Sequence, residues 1–240
     1  MEDDKVIRPR LRGGVKSAYL KSIKEESRVL FIGDLHEPFC LDGYREFCIQ
    51  TYKEHNCNQV IFAGDVIDNH FASYHETDAD GYGGGEELDI AIARIAKWYK
   101  AFPEATVLIG NHDSIISRKF TTGNIPKAWL RSYQEVLHTP NWNFTINYEV
   151  DGVLYTHGLG GKAYNKAKKN MQSTAQGHLH TEAGIQWFVG NKAKVFGLQV
   201  GCGIDKTSYA MAYARDFPKP AIGCAVIVNG TMATNVLMDL

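Results

Sequence analysis

This 240-residue chain contains three short apolar runs, each followed by a glycine and then a polar residue. This repeated pattern is compatible with only a few folds. The runs lie at residues 29–32, 59–63 and 105–109. Continuous apolar runs of this length are typical of buried parallel strands, whose carboxyl ends meet at one edge of a sheet. The glycines permit a sharp backbone turn, so we expect the polar residues after them to form one shared site.

The composition is that of an ordinary soluble protein. Apolar residues make up 44% of the chain, charged residues 22%, and the net charge is −1, so we expect no overall attraction to nucleic acid or membranes. No run of 18 apolar residues and no basic-then-apolar leader occurs, which predicts a cytoplasmic protein without a membrane partner. Five cysteines, an odd number without CxxC spacing, predict reduced structural thiols.

Two regions of the chain differ in pattern. Residues 1–27 carry many charges and few apolar residues, apart from a short amphipathic piece at 17–23. We expect an N-terminal extension there, and we favour a solvated charge run over a nucleic-acid-binding arm. From residue 28 to residue 240, strand and helix patterns follow one another without a linker, which predicts a single domain.

Helical patterns separate the apolar strands. We expect a helix at 43–55 that Asp42 caps, and an amphipathic helix at 87–101. Residues 114–140 predict a helix and then a second helix from about Pro126, because proline suits a first helical turn. Strand, helix and strand in this order predict right-handed parallel crossovers.

A long glycine-rich loop at 69–86 follows the second strand directly. Such loops often cover a site or contact a substrate. We interpret its histidines, His70 and His75, as solvated loop residues, and His55 and His138 elsewhere in the chain as residues outside the site.

Beyond Pro140 the pattern changes to alternation, which is typical of antiparallel strands. A strand is expected at 142–148. Hairpins are expected around Asp151-Gly152, Gly190-Asn191 and Asn229-Gly230, because these residue pairs favour tight turns between strands.

Carboxylates, imidazoles and one amide occupy the expected strand ends. The seven candidate metal ligands are Asp34, His36, Asp65, Asn111, His157, His178 and His180. Carboxylate oxygen mixed with imidazole nitrogen suits Mn²⁺, Fe or Zn²⁺ rather than Ca²⁺. Seven ligands are too many for one ion but suffice for two if one carboxylate bridges, and two-metal sites suit phosphoryl hydrolysis.

Five motifs in order resemble those of the calcineurin-like metallophosphoesterases, across about residues 28–180. They are Asp34-Leu-His36, Gly64-Asp65-Val-Ile-Asp68, Gly110-Asn111-His112-Asp113, His157-Gly158 and Gly177-His178-Leu-His180. The first motif alone would be weak evidence for the family, whereas the third motif followed by the fifth is specific evidence. The resemblance implies an α/β fold, a two-sheet βαβ sandwich flanked by helices, with the terminal strands in the second sheet.

The same resemblance assigns roles to individual residues. It places Asp34, His36 and His180 on one metal ion, and Asn111, His157 and His178 on the other, with Asp65 bridging. It makes His112 the general acid that protonates the leaving oxygen, oriented by Asp68, while metal-activated water attacks phosphorus in line. It implies two divalent ions as cofactors, with Mn²⁺ favoured and Fe, Zn²⁺ and Ni²⁺ as alternatives.

The sequence differs from two branches of the family at motif positions, which reduces the range of expected functions. Asn69 follows Asp68 where protein Ser/Thr phosphatases have an arginine that grips phosphate, so a protein-phosphatase role is disfavoured. Asp68 also stands where purple acid phosphatases have a metal-binding tyrosine, so a ferric purple site is not expected.

A basic stretch, residues 160–169, follows His157 directly and suits a polyanion about as well as a solvated helix face. Together with a similarity to small phage and bacterial members of the family, it favours hydrolysis of phosphodiesters in nucleotides or nucleic acid. We expect substrate contacts at Asn69, Gly158 and Lys162. The alternatives are a phosphomonoesterase acting on a protein or small metabolite, and a non-catalytic scaffold on the same fold.

Overall fold

The computed structural model describes residues 26–74, 78, 80–209 and 218–239, so the predicted extension lies, up to residue 25, outside the described residues. The elements are β1 (Arg28–Ile32), α1 (Tyr44–Glu54), β2 (Gln59–Phe62), α2 (Gly84–Ala101), β3 (Ala105–Leu108), α3 (Ile115–Thr122), α4 (Tyr133–Leu137), β4 (Trp142–Thr145), β5 (Asn147–Val150), β6 (Val153–Thr156), α5 (Ala163–Asn170), β7 (Ser173–Gln176), β8 (Gly184–Val189), β9 (Lys194–Gln199), β10 (Gly223–Val228) and β11 (Met232–Leu237). Short 3-10 turns occupy His70–Ala72 and Lys127–Trp129. None of the helices described here is both long and apolar enough to cross a membrane.

Two mixed sheets form the centre of the molecule. The first has the order β11-β10-β1-β2-β3-β4 and the second β5-β6-β7-β9-β8. Strands β1 to β4 pair in parallel, as their helical crossovers predict. The expected two-sheet α/β sandwich flanked by helices is therefore confirmed.

The placement of the terminal strands in the second sheet was wrong. Strand β10 pairs antiparallel with β1, and β11 pairs with β10, so both belong to the first sheet. Five of the six residues of β10 are buried. A strand buried on both faces needs a central position, and beside β1 it is covered by helices on one side and by the second sheet on the other.

Strand β1 shows how the layers are joined. Leu30 and Ile32 lie in the apolar layer under the helices, together with Trp98 of α2. Val29 and Phe31 point the other way, into the layer between the sheets, where the ring of Phe31 packs edge-on against Tyr155 at 5.3 Å between centroids. Alternate residues of one strand thus build two separate apolar cores.

Several predicted boundaries moved. Asp42 does not cap α1, because Gly43 takes the cap position in a left-handed conformation and the Asp42 carboxylate lies 3.4 Å from Arg94. Helix α2 begins at Gly84, earlier than predicted. The helix expected from Pro126 is a 3-10 turn followed by the short α4, since Leu130 between them is extended.

The strand expected at 142–148 divides at Ile146. Its first part, β4, pairs with β3 in the first sheet, and its second part, β5, pairs with β6 in the second sheet. The three expected hairpins are confirmed by antiparallel pairing on either side of each turn. Asp151 and Gly152 both have positive φ, 52° and 74°, which is the conformation a tight hairpin turn requires.

A buried ion pair ties α2 to the loop after β1. Glu37 is 2% exposed and accepts hydrogen bonds from Arg94 and from the indole of Trp98, the latter at 2.9 Å. The backbone of Glu37 in turn pairs with that of Val66 and Asp68 after β2. Arg94 therefore stabilises two of the loops that carry motif residues.

We expect Arg94→Ala to lower the free energy of unfolding by about 2 kcal/mol, because it leaves the Glu37 carboxylate buried without its counter-charge. The loss stays below that of a fully buried pair, since the Arg94 side chain is 28% exposed. Urea unfolding measures it, with Lys97→Ala on the same helix as the control. An equal effect of both substitutions would contradict the importance of this ion pair.

Candidate metal centre

All seven candidate ligands lie in loops at the carboxyl ends of parallel strands. Asp34 and His36 follow β1, Asp65 follows β2, Asn111 follows β3, His157 follows β6, and His178 and His180 follow β7. The first three strands belong to one sheet and the last two to the other. The site therefore lies where the carboxyl ends of both sheets meet.

The first cluster consists of Asp34, His36 and His180, whose possible ligand atoms all lie within 4.8 Å of one another. The Nε2 atoms of His36 and His180 are 3.1 Å apart, and Asp34 Oδ2 is 3.3 Å from His180 Nε2. Asp34 Oδ1 is buried without a hydrogen-bond partner among the described residues. A buried carboxylate oxygen beside converging ring nitrogens fits a divalent cation.

The second cluster consists of Asp65, His157 and His178, again within 4.8 Å. His157 Nδ1 donates to the carbonyl of Ala63 at 2.9 Å, which directs Nε2 towards Asp65 Oδ2 at 3.2 Å and Asn111 Oδ1 at 2.9 Å. A histidine whose other nitrogen is held by a backbone carbonyl is typical of a metal ligand.

The electrostatics of the histidines agree with a cation site. Burial lowers the pKa of His36 and of His178, which favours the neutral form in which imidazole binds metals. Burial would also lower the pKa of His157, but the charges of Asp65 and Asp34 raise it to about 10. These buried carboxylates thus require a counter-charge, and a divalent cation would supply one.

Asp65 contacts both clusters. Its Oδ2 is 3.2 Å from His157 and 3.8 Å from His36 Nε2, and its Oδ1 accepts a hydrogen bond from the backbone of His112 at 2.7 Å. Burial alone would raise the pKa of Asp65, but His157, His112 and His36 hold it well below its usual range. An ionised carboxylate between two ligand groups has the position that a bridging ligand needs.

Three of the candidate ligands have a strained backbone. The φ angles of His36, Asp65 and His178 are 53°, 45° and 69°, in the left-handed region that favours glycine. The strain is held by hydrogen bonds, for example from the backbone N–H of His36 to the Asp65 carbonyl at 2.7 Å. Non-glycine residues with left-handed backbone angles cluster at functional sites, where the function requires the side chain.

Glycines of the motifs leave space for the ligands. A Cβ on Gly110 would lie 2.0 Å from Asp65 Oδ1, and one on Gly177 would lie 2.3 Å from Asp34 Oδ1. Both distances are far below van der Waals contact. These glycines thus allow two backbone segments to approach the central carboxylates.

We expect Gly110→Ala to displace Asp65, weaken Mn²⁺ binding and lower the free energy of unfolding by about 1–3 kcal/mol through overpacking. Gly85→Ala is the matched control, because a Cβ there meets no atom of the described residues within 4 Å. Urea unfolding and Mn²⁺ titration of both variants measure the effect. Unchanged Mn²⁺ affinity in Gly110→Ala would contradict the assigned position of Asp65.

His112 and Asp68 form a pair beside the clusters. His112 Nδ1 donates to the Asp68 carbonyl at 2.8 Å and lies 3.2 Å from the Asp68 carboxylate. The same carboxylate is 2.6 Å from Nδ1 of His36. Burial would lower the pKa of His112, but the hydrogen bond to Asp68 and the nearby carboxylates raise it to about 10. Asp68 therefore orients a candidate ligand as well as the candidate acid.

The three residues that we expect to contact the substrate are each in contact with other residues of the protein. Asn69 is buried, and its side chain donates to the carbonyl of His112 at 3.0 Å. Gly158 packs against Gln176, with φ of 92°. Lys162 is half-exposed and pairs with Glu182 at 2.7 Å. Contact of these residues with substrate stays a prediction.

Asp113 is a supporting residue to which we assigned no role from the sequence. Its buried carboxylate accepts hydrogen bonds from the backbone of Gly110 at 2.8 Å, Val66 at 3.0 Å and Ile67 at 3.3 Å. It thereby fixes the loop after β2 to the loop after β3. The signal was present, since Asp113 is the last residue of the third motif.

The histidines outside the motifs lie in varied places. His70 is buried against Phe39 and Tyr209, with Nδ1 3.8 Å from Asp68 Oδ2, so it is not a solvated loop residue. His138 ends α4 in a left-handed conformation, and His55 ends α1. His75 lies outside the described residues.

Comparison with solved structures gives several distant likenesses. Vacuolar protein sorting 29 from Cryptosporidium parvum is 14% identical, with a TM-score of 0.45 over 90% of this chain and 98% of that one. YfcE, a phosphoesterase from E. coli, is 12% identical, with a TM-score of 0.39 over 88% and 100%. Nuclease MPE from Pseudomonas putida is 12% identical, with a TM-score of 0.34 over 87% of each chain.

Comparison with sequences places the chain in a family. No curated protein sequence matches it significantly. A family model described as calcineurin-like phosphoesterase, however, matches residues 27–194, which is more than half of the chain. This match covers every motif and both candidate ligand clusters. The chain therefore belongs to the calcineurin-like phosphoesterase family.

Proposed function

We propose that this protein is a phosphoesterase that depends on two divalent metal ions. The observation that carries the proposal is the convergence of two ligand clusters on Asp65, beside the His112–Asp68 pair. When bound, two divalent cations supply Lewis-acid activation of the phosphate and of the water that attacks phosphorus.

The two clusters support the ligand assignment that the family resemblance implies. Asp34, His36 and His180 would hold one cation, and Asn111, His157 and His178 the other, with Asp65 shared between them. The mixed oxygen and nitrogen donors favour Mn²⁺, with Fe, Zn²⁺ and Ni²⁺ as alternatives. Asp34 Oδ1, which has no hydrogen-bond partner among the described residues, and the short approach of His36 to His180 support the first group. The contacts of His157 with Asp65 and Asn111 support the second.

His112 would be the general acid. Because Nδ1 is engaged by the Asp68 carbonyl, the proton available for transfer is on Nε2. When the bond from phosphorus to the leaving oxygen breaks, that oxygen takes the Nε2 proton, and His112 becomes neutral. Asp68 acts through His112 by holding the orientation of its ring, and Asn69 supports the same residue through its carbonyl.

We further propose a phosphodiester of a nucleotide or nucleic acid as the substrate. Asn69 takes the place of the phosphate-gripping arginine expected in protein phosphatases, and its side chain turns towards His112. Asn69 therefore supplies no positive charge to balance the second negative charge that a phosphomonoester carries and a phosphodiester lacks. Phosphomonoesterase activity is the second candidate, and a non-catalytic scaffold is the third.

Hydrolysis of bis-p-nitrophenyl phosphate, compared with p-nitrophenyl phosphate, tests the proposal. Each is measured with added Mn²⁺ and again with a chelator. We expect Mn²⁺-dependent turnover that is faster on the diester. Turnover of the monoester alone would favour the second candidate, and a chain that binds no Mn²⁺ and hydrolyses neither compound would be a scaffold.

We also propose that residues 28–240 act as one domain. Strand β10, near the carboxyl end of the chain, pairs with β1 at its beginning. Inner-face residues of β1 and β10 share an apolar core with the second sheet, for example Phe31 and Ile227 with Tyr155. Separation of either sheet would expose this core to water.

A further inference from the structure

A groove leads away from His112 along α3. Its inner part, about 200 Å³, is bounded by Asn111 and His112 together with Tyr74 and Arg118. Its outer part, about 490 Å³, is again bounded by Tyr74 and Arg118 and reaches Lys127 beyond the end of α3. Tyr74 and Arg118 border both parts. The groove thus begins at the residue assigned to protonate the leaving oxygen.

The α3 side of the groove is basic, although the chain carries a net charge of −1. No Asp or Glu occurs between Asp113 and Glu135, whereas this stretch contains Arg118, Lys119, Lys127 and Arg131. Among the described carboxylates, none forms an ion pair with Arg118 or Lys119. By contrast, Lys162 of the basic stretch considered from the sequence is paired with Glu182. Arg118, which borders the groove at His112, and its neighbour Lys119 are therefore cations beside the site that no described carboxylate neutralises.

An exposed aromatic ring accompanies these cations. Tyr74 is 57% exposed, with Arg118 Cζ 4.8 Å and Lys119 Nζ 5.3 Å from its ring centroid. Trp129, two residues after Lys127, is 79% exposed. An exposed aromatic ring next to cations that pair with no described carboxylate is a combination that suits single-stranded nucleic acid, where bases stack on the ring and phosphates pair with the cations.

We propose, on the basis of the proposed function, that this groove binds the leaving-group side of a single-stranded nucleic acid. The base that follows the scissile phosphate stacks on Tyr74, and the next phosphate pairs with Arg118. The position on the leaving-group side follows from His112, which forms part of the inner wall. Single strands are favoured over duplexes because a base must be unpaired to stack on a side chain.

Fluorescence anisotropy of a labelled single-stranded oligonucleotide, with the full chain in the presence of a chelator, tests the proposal without turnover. We expect Tyr74→Ala to weaken binding by about 5- to 150-fold, the loss of one stacked base. We expect Arg118→Gln to weaken binding and to lower the salt slope by about 0.7, the loss of one phosphate contact. The duplex of the same sequence should bind more weakly than the single strand.

Lys53→Gln is the matched control for the loss of a cation. Lys53 is exposed in the last turn of α1, which leads into the amino end of β2, so it lies at the edge of the sheet opposite the site. The Lys53→Gln variant should bind the oligonucleotide as tightly as the parent protein does. Unchanged binding in both groove variants, or a duplex that binds as tightly as the single strand, would overturn the proposal.

Bis-p-nitrophenyl phosphate separates this proposal from the proposed function, since it carries neither a base nor a second phosphate. If the parent protein binds the oligonucleotide through Tyr74 and Arg118 but does not hydrolyse the diester, the phosphodiesterase function is contradicted and the binding groove still stands. A parent that hydrolyses the diester while the groove variants bind the oligonucleotide normally would contradict the groove alone.

Discussion

Asp65→Asn is expected to lower turnover of bis-p-nitrophenyl phosphate by at least about 10³-fold, more than is usual for loss of one hydrogen-bond donor. The substitution keeps the volume of the side chain but removes its charge. Asp65 is ionised, lies 3.2 Å from His157 and 3.8 Å from His36, and so contacts both ligand clusters. Its neutral replacement should impair both metal positions together.

Thermal unfolding with and without Mn²⁺ separates this effect from a loss of structure. The parent should be stabilised by Mn²⁺, because a ligand that binds only the folded state raises the free energy of unfolding. Asp65→Asn should lose this stabilisation, while its metal-free form remains folded. Asp89→Asn, an exposed carboxylate on α2, is the control and should behave as the parent. Full Mn²⁺ stabilisation in Asp65→Asn would exclude a bridging role.

His112→Ala is expected to lower kcat by about 10²- to 10⁴-fold, which is the range for removal of a general acid. The loss should be greater on a dinucleotide than on bis-p-nitrophenyl phosphate, because an alkoxide needs a proton more than a nitrophenolate does. Mn²⁺ binding should be retained, since His112 lies outside both assigned ligand sets. An equal loss on both substrates would contradict the assignment of His112 as the acid.

The elements next to the site could be predicted because their signals are local. An apolar run followed by glycine and a polar residue identifies the ends of β1, β2 and β3. The turn pair Asp151-Gly152 similarly defines the hairpin of β5 and β6, since the required backbone angles favour these residue types.

Pairing between distant segments could not be predicted in the same way. The pattern of β10 indicates a buried strand but does not identify β1 as its neighbour. The continuous alternation through Ile146 hides the change from one sheet to the other, because β4 and β5 have the same period. Sequence periodicity fixes the face of a strand, not its partner.

In the candidate site, too, the residues of local motifs could be predicted, whereas contacts between distant segments could not. Residues in the motifs, such as Asp34 and His157, could be named in advance because each motif has a fixed spacing. The contacts of Asn69 and Lys162 depend on His112 and Glu182, which are distant in the sequence. The groove likewise depends on the approach of Tyr74 to α3, to which no local pattern corresponds.

Titration of the metal-free protein with Mn²⁺, while both bound metal and hydrolysis of bis-p-nitrophenyl phosphate are followed, tests the two-metal proposal most directly. If both clusters hold an ion and Asp65 joins them, hydrolysis should rise until two equivalents are bound and then stay constant. Saturation at one equivalent, or hydrolysis that does not depend on Mn²⁺, would contradict a dinuclear site.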